Sequence, residues 1–196
     1  MYGFGSGCTG VFYRKSIFLM DRIVENTAIH GGEQRPILEL SRSGLERTFE
    51  VVAALALLLQ IFLLLTHWGD LPDSIAVHFG PSGVPDSWGS KHLLLILPGV
   101  SAAIYTLLTV LSRFPHRYNY LVTITLKNAE LQYSLGRTFL TILKAEIVLL
   151  FTYIVWVTIQ IVHGESEGLG TFFLPILLVL IFGSIAVYMT LSIKNK

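Results

Sequence analysis

The chain has 196 residues, 53% of them hydrophobic and only 14% charged, and its mean hydropathy is +0.64. A soluble domain of this size carries about 25% charged residues, so the composition excludes a disordered chain and argues against an ordinary soluble enzyme. A net charge of +1 leaves no basic footprint for nucleic acid.

Residues 1–40 show no periodicity and include Gly31-Gly32, so a loose tail is expected. The single cysteine, Cys8, excludes an internal disulfide and a Cys-rich metal site. Ser6-Gly7-Cys8 follows no charged and apolar leader, so it is not read as a lipoprotein processing site. Met20-Asp21 is an alternative start, in which case residues 1–19 are not native. Residues 41–196 read as one all-α integral membrane domain.

A bilayer core takes about 20 mostly apolar residues as helix. Four stretches meet that length, at about 48–68, 93–111, 139–162 and 169–193. Ser43-Gly44-Leu45-Glu46 fits a capping box, starting the first helix a turn before the membrane. In that role, Glu46 replaced by alanine is expected to cost only a cap. Pro98 and Pro175 are expected to kink the second and fourth spans. Gly99 and Ala103 form a small-xxx-small pair suited to helix contact. Thr125 is a candidate cap. The pattern Ala129, Tyr133, Gly136, Leu140 then extends the third span by about three turns outside the membrane.

Lys and Arg concentrate in alternate connections. Arg14, Lys15, Arg22, Arg35, Arg42 and Arg47 precede the first span. Arg113, Arg117, Lys127 and Arg137 lie between the second and third, and Lys194 and Lys196 end the chain. The other two connections hold Lys91 alone. Both termini are therefore expected in the cytoplasm, in the cell membrane, with residues 67–92 facing outward.

That outer loop holds most of the chemistry. Ile75, Val77 and Phe79 alternate with Ala76 and His78, which suits one short strand. Gly80-Pro81-Ser82-Gly83 is turn chemistry, and Pro72 and Pro85 stiffen the two arms. Leu71-Pro72-Asp73, Ile75, His78-Phe79, then Gly83, Pro85-Asp86 and Trp88-Gly89-Ser90-Lys91 resemble the signature of domain-of-unknown-function family 1648. The resemblance covers roughly residues 50–112. Tyr118-Asn119-Tyr120 and Thr125, Asn128-Ala129-Glu130, Gln132-Tyr133 are similar to the segment after the shared domain in many such proteins. The resemblance implies an outer loop joining two transmembrane helices. Some members are similar to SdpI-type immunity proteins, which protect a bacterium from a secreted peptide toxin. The resemblance brings no catalytic residues.

The candidate binding residues are Pro72, Asp73, His78, Phe79, Gly83, Asp86, Trp88 and Gly89. Trp68 and Trp88 suit interfacial anchoring, and Trp88 with His78 and Phe79 also suits a peptide-binding surface. His67, His78 and His92 are weak metal candidates whose spacing fits no metal motif. Gln60, Tyr105, Thr106, Tyr153, Gln160 and Tyr188 are polar groups within spans, suited to interhelical hydrogen bonds. Glu146 is the one acid read as lying inside a span. If it is buried, its expected partner is Arg47 or Arg113.

No catalytic motif or cofactor-binding pattern is visible, so no enzyme activity and no cofactor are expected. The leading reading is binding or sensing at the outer face, of the immunity type. The alternatives are an accessory subunit of a larger membrane assembly and, third, a metal-dependent membrane enzyme. The expected partners are the lipid bilayer and an extracellular peptide or a membrane protein.

Overall fold

The computed structural model describes residues 35–196. The alternative start at Met20, Cys8 and the larger part of the tail lie outside the described residues. Among those described, four helices are long and apolar enough to cross a membrane. The molecule is a four-span membrane protein with a small two-stranded sheet.

Helix α1, Gly44–His67, runs 24 residues, about 36 Å, and exceeds the ~30 Å hydrocarbon core. Ser43 caps it in the box the sequence suggests. The Ser43 hydroxyl accepts from the Glu46 amide at 3.1 Å, and the Glu46 carboxylate accepts from the Ser43 amide at 2.8 Å. Next comes a hairpin of β1 (Ser74–Phe79) and β2 (Pro85–Ser90). Lys91–Leu95 is a 3-10 helix that leads into α2, Ile96–Leu111. Helix α3, Ala129–Val162, is 34 residues long and packs on all three other helices. Helix α4, Phe173–Lys194, closes the chain and contributes one buried residue, Ser192.

Several expectations need correcting. One strand was expected, and there are two. Pro175 stands in the first turn of its helix, where the missing N–H has no intrahelical partner to lose, so it does not have to kink its span. Pro98 instead lies inside the continuous span Lys91–Leu111, just after the 3-10 segment passes into α2. Helix α4 begins at Phe173 and not near residue 169, because Gly168–Gly170 is drawn onto the hairpin. Gly99 and Ala103 are exposed, and a methyl group at Gly99 would meet nothing within 4 Å. The small residues that let helices approach are instead Ala53 and Ala56 on α1. Beside them the Thr152 hydroxyl of α3 donates to the Ala56 carbonyl at 3.0 Å.

At one end, Leu64, Leu71, Ile75, Leu94, Val155 and Ile159 form a buried apolar cluster that joins the hairpin to three helices. At the opposite end the connections are tied by polar contacts. Arg35 donates to the Tyr118 carbonyl. The Gln132 amide of α3 donates to the Ser192 and Asn195 carbonyls at 2.9 and 3.0 Å. Tyr118 and Tyr120 stack over Gly136, where a methyl group would come within 3.1 Å of the Tyr118 ring. Burial there pushes the Tyr118 hydroxyl up to about 12.

Candidate functional site

The hairpin is held at its base, its middle and its tip. At the base, the Lys91 ammonium donates to the Leu71 carbonyl at 2.9 Å and lies 5.5 Å from the centre of the Trp68 ring. The Lys91 amide donates to the Asp73 carbonyl at 3.1 Å. In the middle, His78 Nδ1 and Asp86 Oδ1 are 2.5 Å apart across the two strands. The pairing is irregular on either side of His78, which is how a six-residue strand brings that imidazole opposite Ser87 and near Asp86.

The tip is where the chain's glycines are needed. Gly83 has φ +80, a left-handed conformation that suits glycine, and closes the turn by donating to the Gly80 carbonyl at 2.8 Å. Its own carbonyl accepts from the Leu169 amide of the α3–α4 connection at 2.8 Å. A methyl group on Gly83 would meet the Gly170 oxygen at 2.6 Å, and one on Gly168 would run into the Gly83 oxygen. Two connections far apart in sequence thus form one surface by backbone contact.

The candidate residues divide accordingly. Gly83, Gly89, His78 and Asp86 hold the hairpin's shape; Gly89 leaves room for Val77 and Leu93, which a methyl group would meet at 3.2 and 3.4 Å. Phe79 is half-buried, opposite Pro85. Pro72 and Asp73 are exposed at the base. Trp88 is 57% exposed and Val84 53%, a large apolar surface on a rigid support. The Trp68 ring packs edge-on to His92, with centroids 5.7 Å apart.

The three weak metal candidates are not brought together. His67 Nδ1 lies 3.0 Å from the Leu63 carbonyl, His92 Nδ1 lies 3.1 Å from the Ser90 hydroxyl, and His78 is committed to Asp86. Among the described residues no three His, Cys, Asp or Glu side chains gather where a metal ion could be held.

Beneath the hairpin lies a groove of about 310 Å³. Its walls come from β1, the start of α2, the last turns of α3 and the start of α4, with Val77, Leu93, Leu97, Ile154 and Phe173 among its apolar lining. The one hydroxyl on its wall, Thr158, donates to the Ile154 carbonyl at 2.9 Å.

The polar groups at the opposite end follow a different plan from the one expected. Glu46 is 2% exposed. Besides capping α1 it receives Arg137 of α3 at both oxygens, Nε at 2.8 Å and Nη2 at 3.0 Å. The same guanidinium donates to the Leu40 and Ser41 carbonyls, at 3.0 and 2.6 Å. One turn further along α1, Glu50 accepts from the Lys144 ammonium at 2.6 Å and from the Tyr105 hydroxyl at 2.9 Å. Lys144 also donates to the Thr109 hydroxyl at 2.8 Å and lies 4.6 Å from the centre of the Tyr105 ring. A single buried ammonium therefore joins α1, α2 and α3. Sequence reasoning missed both pairs. The signal was there in outline: Glu46 and Glu50 share one face of α1, as Arg137 and Lys144 share one of α3.

Glu146 is half-buried, and its partner is neither Arg47 nor Arg113, which are both exposed. The Ser184 hydroxyl of α4 donates to it at 3.3 Å. Tyr105 makes its interhelical bond; Gln60 does not. Gln60 is fully buried, and neither atom of its amide has a hydrogen-bond partner.

Residues 55–102 match the family model described as "Domain of unknown function (DUF1648)", so the resemblance of the hairpin and its flanking spans is borne out there. An uncharacterized protein of Archaeoglobus fulgidus is 39% identical over 70 residues, which cover 32% of this chain and 38% of that protein. The chain thus matches well under half the length of this relative. No solved structure matches.

Proposed function

With residues 55–102 placed in that family of unknown function, we propose that the chain is a binding and sensing protein of the cell membrane, of the immunity type, and not an enzyme. Its binding element is the hairpin, and its partner is an extracellular peptide. The observation that carries this reading is the mounting of the hairpin. A two-stranded hairpin alone is marginal in water. This one is clamped by Lys91, crossed by His78–Asp86 and docked at Gly83, and it still leaves Trp88 and Val84 exposed. A rigid support under an exposed tryptophan suits a contact hot spot.

The outward orientation rests on the Lys/Arg alternation. The hairpin and the α3–α4 connection share one end, and the arginine-rich connections share the other. In a Cys8→Ser background, a cysteine at Ser82 is expected to react with an impermeant thiol reagent on intact cells, and one at Asn119 is not. The reverse pattern overturns the orientation.

Cells making the chain are expected to survive a secreted peptide toxin that kills cells lacking it. Trp88→Ala is expected to weaken peptide binding by more than about 1 kcal/mol. His78→Ala is expected to act through the hairpin's shape. Unchanged survival with both variants sinks the binding-hairpin reading. A second reading, an accessory subunit of a larger assembly, has one observation behind it: α4 fully buries a single residue within the chain and leaves much of its apolar surface open, Ile176, Val179, Phe182 and Val187 among it.

A further inference from the structure

We propose that the groove beneath the hairpin holds an acyl chain of a phospholipid from the surrounding bilayer, which forms part of the hairpin's seat. The inference does not depend on the hairpin's binding a peptide. It starts from the groove's depth. The upper wall is β1, at Val77 and His78, and the lower wall reaches Ile154. That residue lies eight positions before Val162, or about 12 Å below the end of α3 at ~1.5 Å per residue. The groove therefore runs from the hairpin down into the depth of the spans.

It is also continuous with the lipid-facing surface. Leu93 is 47% exposed and lines the groove, and Leu95, Ile96 and Val100 carry the exposed apolar surface onward along α2. A hydrocarbon chain against these residues can enter without crossing a polar barrier. Its two polar side chains are already engaged: the Thr158 hydroxyl donates to the Ile154 carbonyl, and His78, at the upper rim, is paired with Asp86 through Nδ1. A ligand rich in hydrogen-bonding groups would leave its own groups unpaired there. The volume, about 310 Å³, is at the low end of small-molecule pockets and suits a stretch of flexible hydrocarbon.

The test uses the full chain in phosphatidylcholine vesicles, with a fraction of the lipid carrying a diazirine midway along one acyl chain. After irradiation, adducts are mapped by mass spectrometry. Lipid adducts at Val77, Leu97 or Ile154 are expected at several times the yield at Val179 and Phe182, exposed residues of α4. Leu97→Trp, which fills the groove, is expected to lower the groove adducts several-fold and leave those on α4 unchanged. Trp88→Ala is expected to change neither, which separates this proposal from the peptide-binding one. Groove adducts no more frequent than those on α4 overturn the proposal. So do adducts that join two copies of the chain at these positions, which would make a second copy the occupant. The wild-type comparison decides the matter even if Leu97→Trp fails to fold.

Discussion

Glu46→Ala is expected to lower stability by about 3–5 kcal/mol, the cost of leaving one charge of a buried pair without its partner. The carboxylate it removes accepts two bonds from Arg137, one from the Ser43 amide and one from the Thr138 hydroxyl. Arg137→Ala should cost a similar amount, since it also strips the Leu40 and Ser41 carbonyls of their donor. Ser43→Ala, which removes only the cap, should cost about 1 kcal/mol. Replacing both Glu46 and Arg137 by alanine should cost less than the sum of the two single changes, because neither charge is then left behind. Thermal unfolding in detergent, followed by helical circular dichroism, gives all four values. If Glu46→Ala and Ser43→Ala prove equal, the acid is a cap and the arginine contact contributes nothing. The pair one turn along obeys the same logic. Glu50→Ala would leave the fully buried Lys144 ammonium with only the Thr109 hydroxyl and the Tyr105 ring, whereas Lys144→Ala leaves a partly exposed Glu50 still bonded to Tyr105. Glu50→Ala should therefore be the costlier of the two changes at that pair.

The contrast between Glu46 as a cap and Glu46 as an ion-pair partner shows what a linear reading can reach. Local rules are written in neighbouring residues. The capping box needs only Ser43 and Glu46, and a span needs only a long apolar run, so the cap and the four helices were legible. The partner of a helix face is not written locally. Glu50 directly precedes the apolar run that starts at Val51, so by hydropathy it looks like the edge of a span, while the fold places it beside Lys144. The second strand was hidden for a related reason. Pro85-Asp86-Ser87-Trp88-Gly89-Ser90 has the composition of a turn, and only its pairing with β1 makes it a strand. The hairpin residues were identifiable as a motif. That Gly83 and Gly89 serve close packing while Trp88 stays exposed became visible only with the partners in place.

Gly168→Ala is expected to lift the tip of the hairpin off the α3–α4 connection while leaving the four spans inserted. The added methyl group would run into the Gly83 carbonyl oxygen, the same atom that accepts from the Leu169 amide. Backbone stands on both sides, so no side chain can swing away to make room. Gly83→Ala should have the same effect by two routes: a methyl group 2.6 Å from the Gly170 oxygen, and an L-residue at φ +80. The second route alone costs about 1–2 kcal/mol. Gly164→Ala separates the two causes. Gly164 has φ +74, but its methyl group would meet nothing within 4 Å, so the substitution carries the strain without the collision. Hydrogen exchange at the Leu169 amide reports the docking directly, because that proton is protected only while the tip is seated. Exchange should accelerate in Gly168→Ala and Gly83→Ala and stay near the wild-type rate in Gly164→Ala. Protection from a peptide toxin should fall in the same two variants, since Trp88 would lose its rigid mount. Wild-type exchange at Leu169 in both would mean that the glycine contact does not hold the tip. The apolar cluster around Ile75 would then carry the hairpin by itself.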